Sequence, residues 1–339
     1  MQPQEAKARD GYIDSLRFLA FFGVFFTHIL EHFVIIHPDT WLIFYQGPIG
    51  FFTKGLYGKA FVALFCVLAG YYAAQSAERH PADRYLRNRY IQFSSALIPA
   101  NFIYILVVHI FPGNAEPLPL TFELMRNFFS DSLFYTDFIV PTYWCMIDFF
   151  IGSVVTFLLA QTCAAIPLKQ KLTLFAVAYL LAIITLKQVW LANCLLGGLV
   201  YFFHKAELKT INRPIIQAAI FLASLLLYRS LYLSYRDFAI YGLCYAAFFY
   251  LVLNNKYAQE LLNKKTLSKL GLISFELYLA HAITMPLVNS LFIEKYQNVF
   301  HLAALLPIVV LLNIVLFTPL AMALSLISGK IKNGITKVL

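Results

Sequence analysis

Between residues 14 and 32 an otherwise apolar run carries Asp14, Arg17, His28, Glu31 and His32. On a helix turning about 100° per residue, these five side chains fall within one stripe about 100° wide. Histidine changes protonation near neutral pH, which suits it to take a proton from a hydroxyl group. Arg17 precedes His28 by about 16 Å along such a helix, so a fixed positive charge and a base share one face at different depths. The stripe could equally be polar contact that only holds helices together, and both uses stay open at this point. A second apolar run sets Ser274, Tyr278 and His281 on one face and Glu276 on another. A third opens with Trp144 and carries Asp148 one turn later. A tryptophan there is a common interfacial anchor, whereas a carboxylate in lipid is costly and asks for a partner. Arg84, Arg87 and Arg89 stand together ahead of a fourth run. Guanidinium groups grip phosphate with paired N–H bonds, and the same cluster also fits a membrane surface.

The elements that must hold these residues follow from composition. Of 339 residues, 60% are hydrophobic and 13% charged, and the mean hydropathy is +0.71. A soluble domain is about 45–50% apolar and about 25% charged, and a water-soluble core of this length cannot hide the excess. The apolar runs are continuous rather than alternating, which predicts helices and not a barrel. At roughly 20 residues per crossing, ten spans are expected, near 16–36, 58–77, 93–111, 144–165, 172–187, 189–204, 214–229, 238–254, 271–292 and 302–327. The chain reads as an all-α, polytopic transmembrane bundle, a single membrane domain over 1–339 with no appended soluble domain. Met1 to Asp10 is polar and the first run has no small-residue cleavage site after it, so no secretory signal is expected.

Cysteine and charge narrow the class further. The five cysteines lie within apolar runs, and none has zinc-ligand spacing, so neither a disulfide framework nor a metal site is expected. The net charge of +9 comes from basic residues scattered between runs, a pattern that reports topology rather than nucleic acid. With the N-terminus inside, only Lys54, Lys59, Arg126, Lys187, Arg229, Arg236 and Lys295 of the 26 Lys and Arg residues fall outside. Both termini are therefore expected inside. The longest outer loop, about 112–143, is too short to be a domain. Gly197-Gly198 lies inside a span and predicts close helix packing rather than a nucleotide-binding loop.

Taken in order, these pieces resemble the acyltransferase 3 family of integral membrane acyltransferases. Arg17, ten residues, then His28 resembles the family's first-helix signature. Phe65-Cys66-Val67-Leu68-Ala69-Gly70 resembles its Phe-Phe-x-x-Ser-Gly, with Cys66 and Ala69 replacing the second Phe and the Ser. Arg84-x-x-Arg87 resembles its Arg-x-x-Arg. Pro141-x-x-Trp144 followed by Asp148 resembles its Pro-x-x-Trp and Glu, with the acid shortened and one residue early. Ile273-Ser274-Phe275 with Leu277-Tyr278-Leu279-Ala280-His281 resembles its last motif.

The resemblance implies transfer of an acyl group, commonly acetyl, from cytoplasmic acyl-coenzyme A to a hydroxyl of a cell-envelope glycan or related acceptor. It implies a multi-pass protein of a bacterial cytoplasmic membrane, with acyl-CoA as co-substrate and no permanently bound cofactor. The expected partners are the lipid bilayer, acyl-CoA and the glycan, and not nucleic acid. His28, Glu31 and Asp148 are the expected catalytic residues, and Arg17, Arg84, Arg87 and Arg89 the expected donor contacts. Asp14, Trp144, Ser274, Tyr278 and His281 are expected to support the site or meet the acceptor. A proton-coupled transporter or flippase of an envelope precursor would also use buried His, Glu and Asp. Paired broken helices in matching halves, the usual mark of such carriers, are not seen in the sequence.

Overall fold

The computed structural model describes residues 10–36, 58–111, 121–136, 139–206, 237–288 and 302–338, and no strand occurs among them. The helices are α1 (Gly11–Ile36), α2 (Gly58–Ala77), α3 (Ala82–Ile110), α4 (Phe122–Phe134), a 3-10 turn (Pro141–Cys145) running into α5 (Met146–Thr162), and α6 (Leu168–Ile184). They continue as α7 (Val189–Lys205), α8 (Asp237–Asn254), α9 (Lys256–Leu262), α10 (Lys265–Leu272), α11 (Ser274–Val288) and α12 (Leu302–Val338). Among the described residues five helical stretches are long and apolar enough to cross a membrane: Gly11–Glu31, Ala60–Ala77, Ala82–Ile110, Pro141–Thr162 and Leu305–Lys337. Counting α10 and α11 as one span, bent by 72°, makes six. α6 and α7 coincide with expected spans but have only 17 residues each. The expected span near 214–229 lies outside the described residues.

Two stretches read as loops in the sequence are helical. Arg84 to Arg89 form the first turns of α3, which starts at Ala82 rather than near residue 93. Asp83 in its first turn complements the helix dipole, and arginine is a good helix former. At 29 residues the helix is about 44 Å long, more than a hydrocarbon core of about 30 Å requires, so the arginine end can project beyond it. The loop expected to lie outside contains α4. Thr121 Oγ1 accepts a hydrogen bond from the Leu124 N–H at 3.2 Å and starts the helix; Tyr135, at φ 58°, ends it. Asn101 Nδ2 of α3 donates to Asp131 Oδ2 and to Ser132 Oγ, both at 3.1 Å, and holds α4 down. Asp131 Oδ2 also accepts from the Ile139 N–H at 3.2 Å, which leads the chain into the 3-10 turn.

Small residues set how close the helices come. A side chain on Gly197 would run into the Val67 carbonyl, and one on Gly70 into that of Cys194, so α2 and α7 touch backbone to backbone. Gly271 of α10 meets the Asp14 backbone of α1 in the same way. Where α2 ends, Lys205 and Tyr201 of α7 donate to the Glu78 carboxylate at 2.6 and 2.7 Å. Burial alone would raise the Glu78 carboxyl; the Lys205 ammonium and the Tyr201 hydroxyl outweigh it and hold it below the ordinary carboxylate range. Phe21, Phe25 and Phe317 join α1 to α12 edge to face, while Phe102, Leu106, Leu311, Val315 and Leu326 are exposed, as residues facing lipid must be.

Candidate functional site

A small cleft opens between α1, α2, α3, α5 and α11. Arg17, Arg89 and Gln92 bring polar groups to it, Ser274 and Tyr278 face it from α11, and Phe65, Leu68, Ala69, Phe93, Met146, Phe149 and Phe275 make the rest apolar. This mixture of a few polar groups in an apolar lining is the composition of a small-molecule site. Arg89 is fixed on three sides. Its Nε donates to Ser153 Oγ at 3.1 Å, its Nη1 donates to Gln92 Oε1 at 3.3 Å, and its guanidinium lies 4.7 Å from the Phe93 ring centre. Ser153 spends its own proton on the Phe150 carbonyl at 2.9 Å, so its lone pair is free for Arg89. Arg17 pairs with the buried Asp14 at 3.5 Å and lies 5.2 Å from the Tyr72 ring centre. Glu276, on another face of α11 from Tyr278, is also close enough for its charge to act on Arg17. Arg89 is half-buried and has no carboxylate partner among the described residues.

Farther along α1 lie the histidines. His28 Nδ1 is 3.3 Å from Glu31 Oε2, and its ring stacks on that of His281 with centres 5.6 Å apart at 26°. His281 is fully buried; the rings of Phe21, Phe25 and Tyr278 also surround it. The 3-10 turn is stitched to α11 in both directions. The Tyr143 hydroxyl donates to the Leu279 carbonyl at 2.8 Å, and the Tyr278 hydroxyl donates to the Thr142 carbonyl. A phenol has one proton, so the Cys145 thiol, 3.3 Å from Tyr278 Oη, must be the donor of that contact. This stitching sets Trp144, which packs on Trp190 with ring centres 5.3 Å apart.

The chain matches the family model of the acyltransferase domain, acyltransferase 3, over residues 10–328. It belongs to the acyltransferase 3 family. No curated protein and no solved structure matches it.

In this acyltransferase three of the five motifs contribute to two neighbouring places. Arg17, Phe65, Ala69, Arg89, Ser274 and Tyr278 line the cleft, and His28, Glu31 and His281 cluster beyond Tyr278. Arg84 and Arg87 are exposed on α3 and do not line the cleft, because Arg89 is rotated from them by more than a third of a turn. Asp148 is half-buried near the Cys66 and Cys145 thiols and makes no hydrogen bond or ion pair among the described residues. The side chain of His32 lies outside the described residues. Sequence reasoning missed Gln92, Ser153 and Tyr143, whose polarity inside apolar runs was the only signal available.

Proposed function

We propose that this acyltransferase moves an acetyl group from acetyl-CoA, entering from the inner side of a bacterial cytoplasmic membrane, to a hydroxyl of a cell-envelope glycan. The proposal takes the chain as one membrane domain of ten spans with both termini inside. The observation that carries it is that Tyr278 lines the cleft with Arg17 and Arg89 and also packs on His281, whose ring stacks on that of His28 beside Glu31. Arg17 and His28 are about 16 Å apart along α1, so the two places suit opposite ends of an elongated donor.

The exposed Arg84 and Arg87 meet the coenzyme A phosphates at the entrance, and Arg17 and Arg89 hold the anionic part that enters. The thioester then lies toward Tyr278 and His28. His28, oriented by Glu31 through Nδ1, takes the hydroxyl proton at Nε2. The hydroxyl oxygen attacks the thioester carbonyl carbon, the C–S bond breaks, and the coenzyme A sulfur leaves with the proton from His28. Trp144 and Asp148 form the acceptor side, Asp148 providing a carboxylate for its hydroxyls.

The test is purified protein in liposomes with labelled acetyl-CoA and surface glycan extracted from a strain deleted for this chain. Label in the glycan is the expected result. Intact acetyl-CoA and unlabelled glycan, with well-folded protein, would remove the proposal.

A further inference from the structure

His281 carries a buried nitrogen with no hydrogen-bond partner among the described residues. Its Nδ1 lies 2.5 Å from the Tyr278 carbonyl oxygen. A carbonyl only accepts, so Nδ1 holds the proton of the neutral ring and Nε2 is left as a bare acceptor. That Nε2 is buried and has no hydrogen-bond partner among the described residues. Such an atom costs free energy unless something donates to it. The rings of Phe21, Phe25 and Tyr278 packed on it cannot. Phe21 and Phe25 are apolar, and the single proton of Tyr278 is committed to Thr142. A water molecule there would need two or more further polar partners, which these rings do not offer.

His28 has the same arrangement one ring away. Its Nδ1 faces the Glu31 carboxylate at 3.3 Å, which again leaves Nε2 as the acceptor. The two stacked imidazoles thus present two acceptors. A hydroxyl has one proton, so the hydroxyl that gives its proton to His28 cannot also satisfy His281. We infer that the Nε2 of His281 receives a hydrogen bond from a second donor on the acceptor, a neighbour of the hydroxyl that is acylated. The inference rests on the proposed O-acyl transfer and has its glycan acceptor held at two positions at once. Among the four rings around His281, those of Phe21, Phe25 and Tyr278 are at most 3% exposed, while the His28 side chain is 22% exposed. The least buried side of Nε2 is the side of His28, and the inferred second donor comes from there, beside the first hydroxyl. His281 acts here as an acceptor-binding residue that fixes which hydroxyl meets the base.

The assay is the one above, with the labelled product analysed by NMR for the acylated position. If the wild type labels no glycan, the proposed function fails and His281 is not the cause. Where it labels glycan at one position, His281→Ala should raise the acceptor KM at least tenfold, shift the donor KM less than twofold, and spread label over neighbouring hydroxyls. His281→Gln, whose amide can donate to the Tyr278 carbonyl or accept from the glycan but not do both as well, should fall between. A lost packing residue would instead lower thermal stability and move donor and acceptor KM together. That result, or an unchanged acceptor KM with label still at one position, overturns the inference.

Discussion

His28 and Asp148 differ in what surrounds them, and that difference sets what each substitution should do. His28 has its orienting carboxylate at 3.3 Å, so removing the ring removes the base and leaves the helix intact. General-base catalysis is worth about 10²- to 10⁴-fold, and His28→Ala should lose acetyl transfer by that order while inserting normally into membranes. Wild-type turnover in that variant would end the assignment. Asp148 has no ion-pair partner among the described residues, so a packing role would tolerate Asp148→Asn, which keeps size and hydrogen bonding. A carboxylate that meets the acceptor would not, and we expect at least a tenfold loss of transfer in a folded protein; normal transfer would return Asp148 to packing. The arginines divide by exposure. Arg84 and Arg87 are exposed, so the effect of Arg84→Ala with Arg87→Ala on donor KM should fade in high salt. Arg89, held in the cleft by Ser153 and Gln92, should raise donor KM on replacement by Ala at every salt concentration. Equal salt sensitivity of the two variants would contradict that division.

The helices bring these residues together through close contacts that tolerate little change. α2 and α7 meet at Gly70 and Gly197, and the 3-10 turn meets α11 through Tyr143 and Tyr278. Adding atoms to a tightly packed contact costs about 1–3 kcal/mol. Gly197→Ala, whose added methyl would meet the Val67 carbonyl, should therefore lower the thermal midpoint of the detergent-solubilised protein by several degrees. A midpoint equal to wild type would mean that α2 and α7 are farther apart than described. Because α2 supplies Phe65, Leu68 and Ala69 to the cleft, the same change should also weaken donor binding.

At the scale of the whole molecule, the distribution of basic residues predicts orientation. The arginine end of α3, the lysines of α9 and α10, and Lys330, Lys332 and Lys337 on α12 belong to one side if the chain makes ten spans. A reporter fused after residue 338 should then be active only as a cytoplasmic protein, green fluorescent protein and not alkaline phosphatase. Phosphatase activity there would place the C-terminus outside and contradict this orientation. The bend of 72° between α10 and α11 suits this arrangement, since it turns a lysine-bearing helix away from the axis of the helix carrying His281.

Run length, periodicity and residue type are local properties, and they determined the helical membrane character, the polar stripe of α1 and the motifs that tie the chain to its family. They also foretold the close packing at Gly197-Gly198, because a pair of glycines in a span has few other uses. Which residues meet across the bundle was decided only by the tertiary structure. Arg84, Arg87 and Arg89 look alike in the sequence, yet the rotation of α3 against α5 sends Arg89 alone to Ser153 and the cleft. His28 and His281 lie at opposite ends of the chain, and nothing local predicts that their rings stack. Helix rotation, crossing and closeness of approach depend on the shapes of all neighbours together, so a contact between distant residues is a property of the packed bundle and not of either segment.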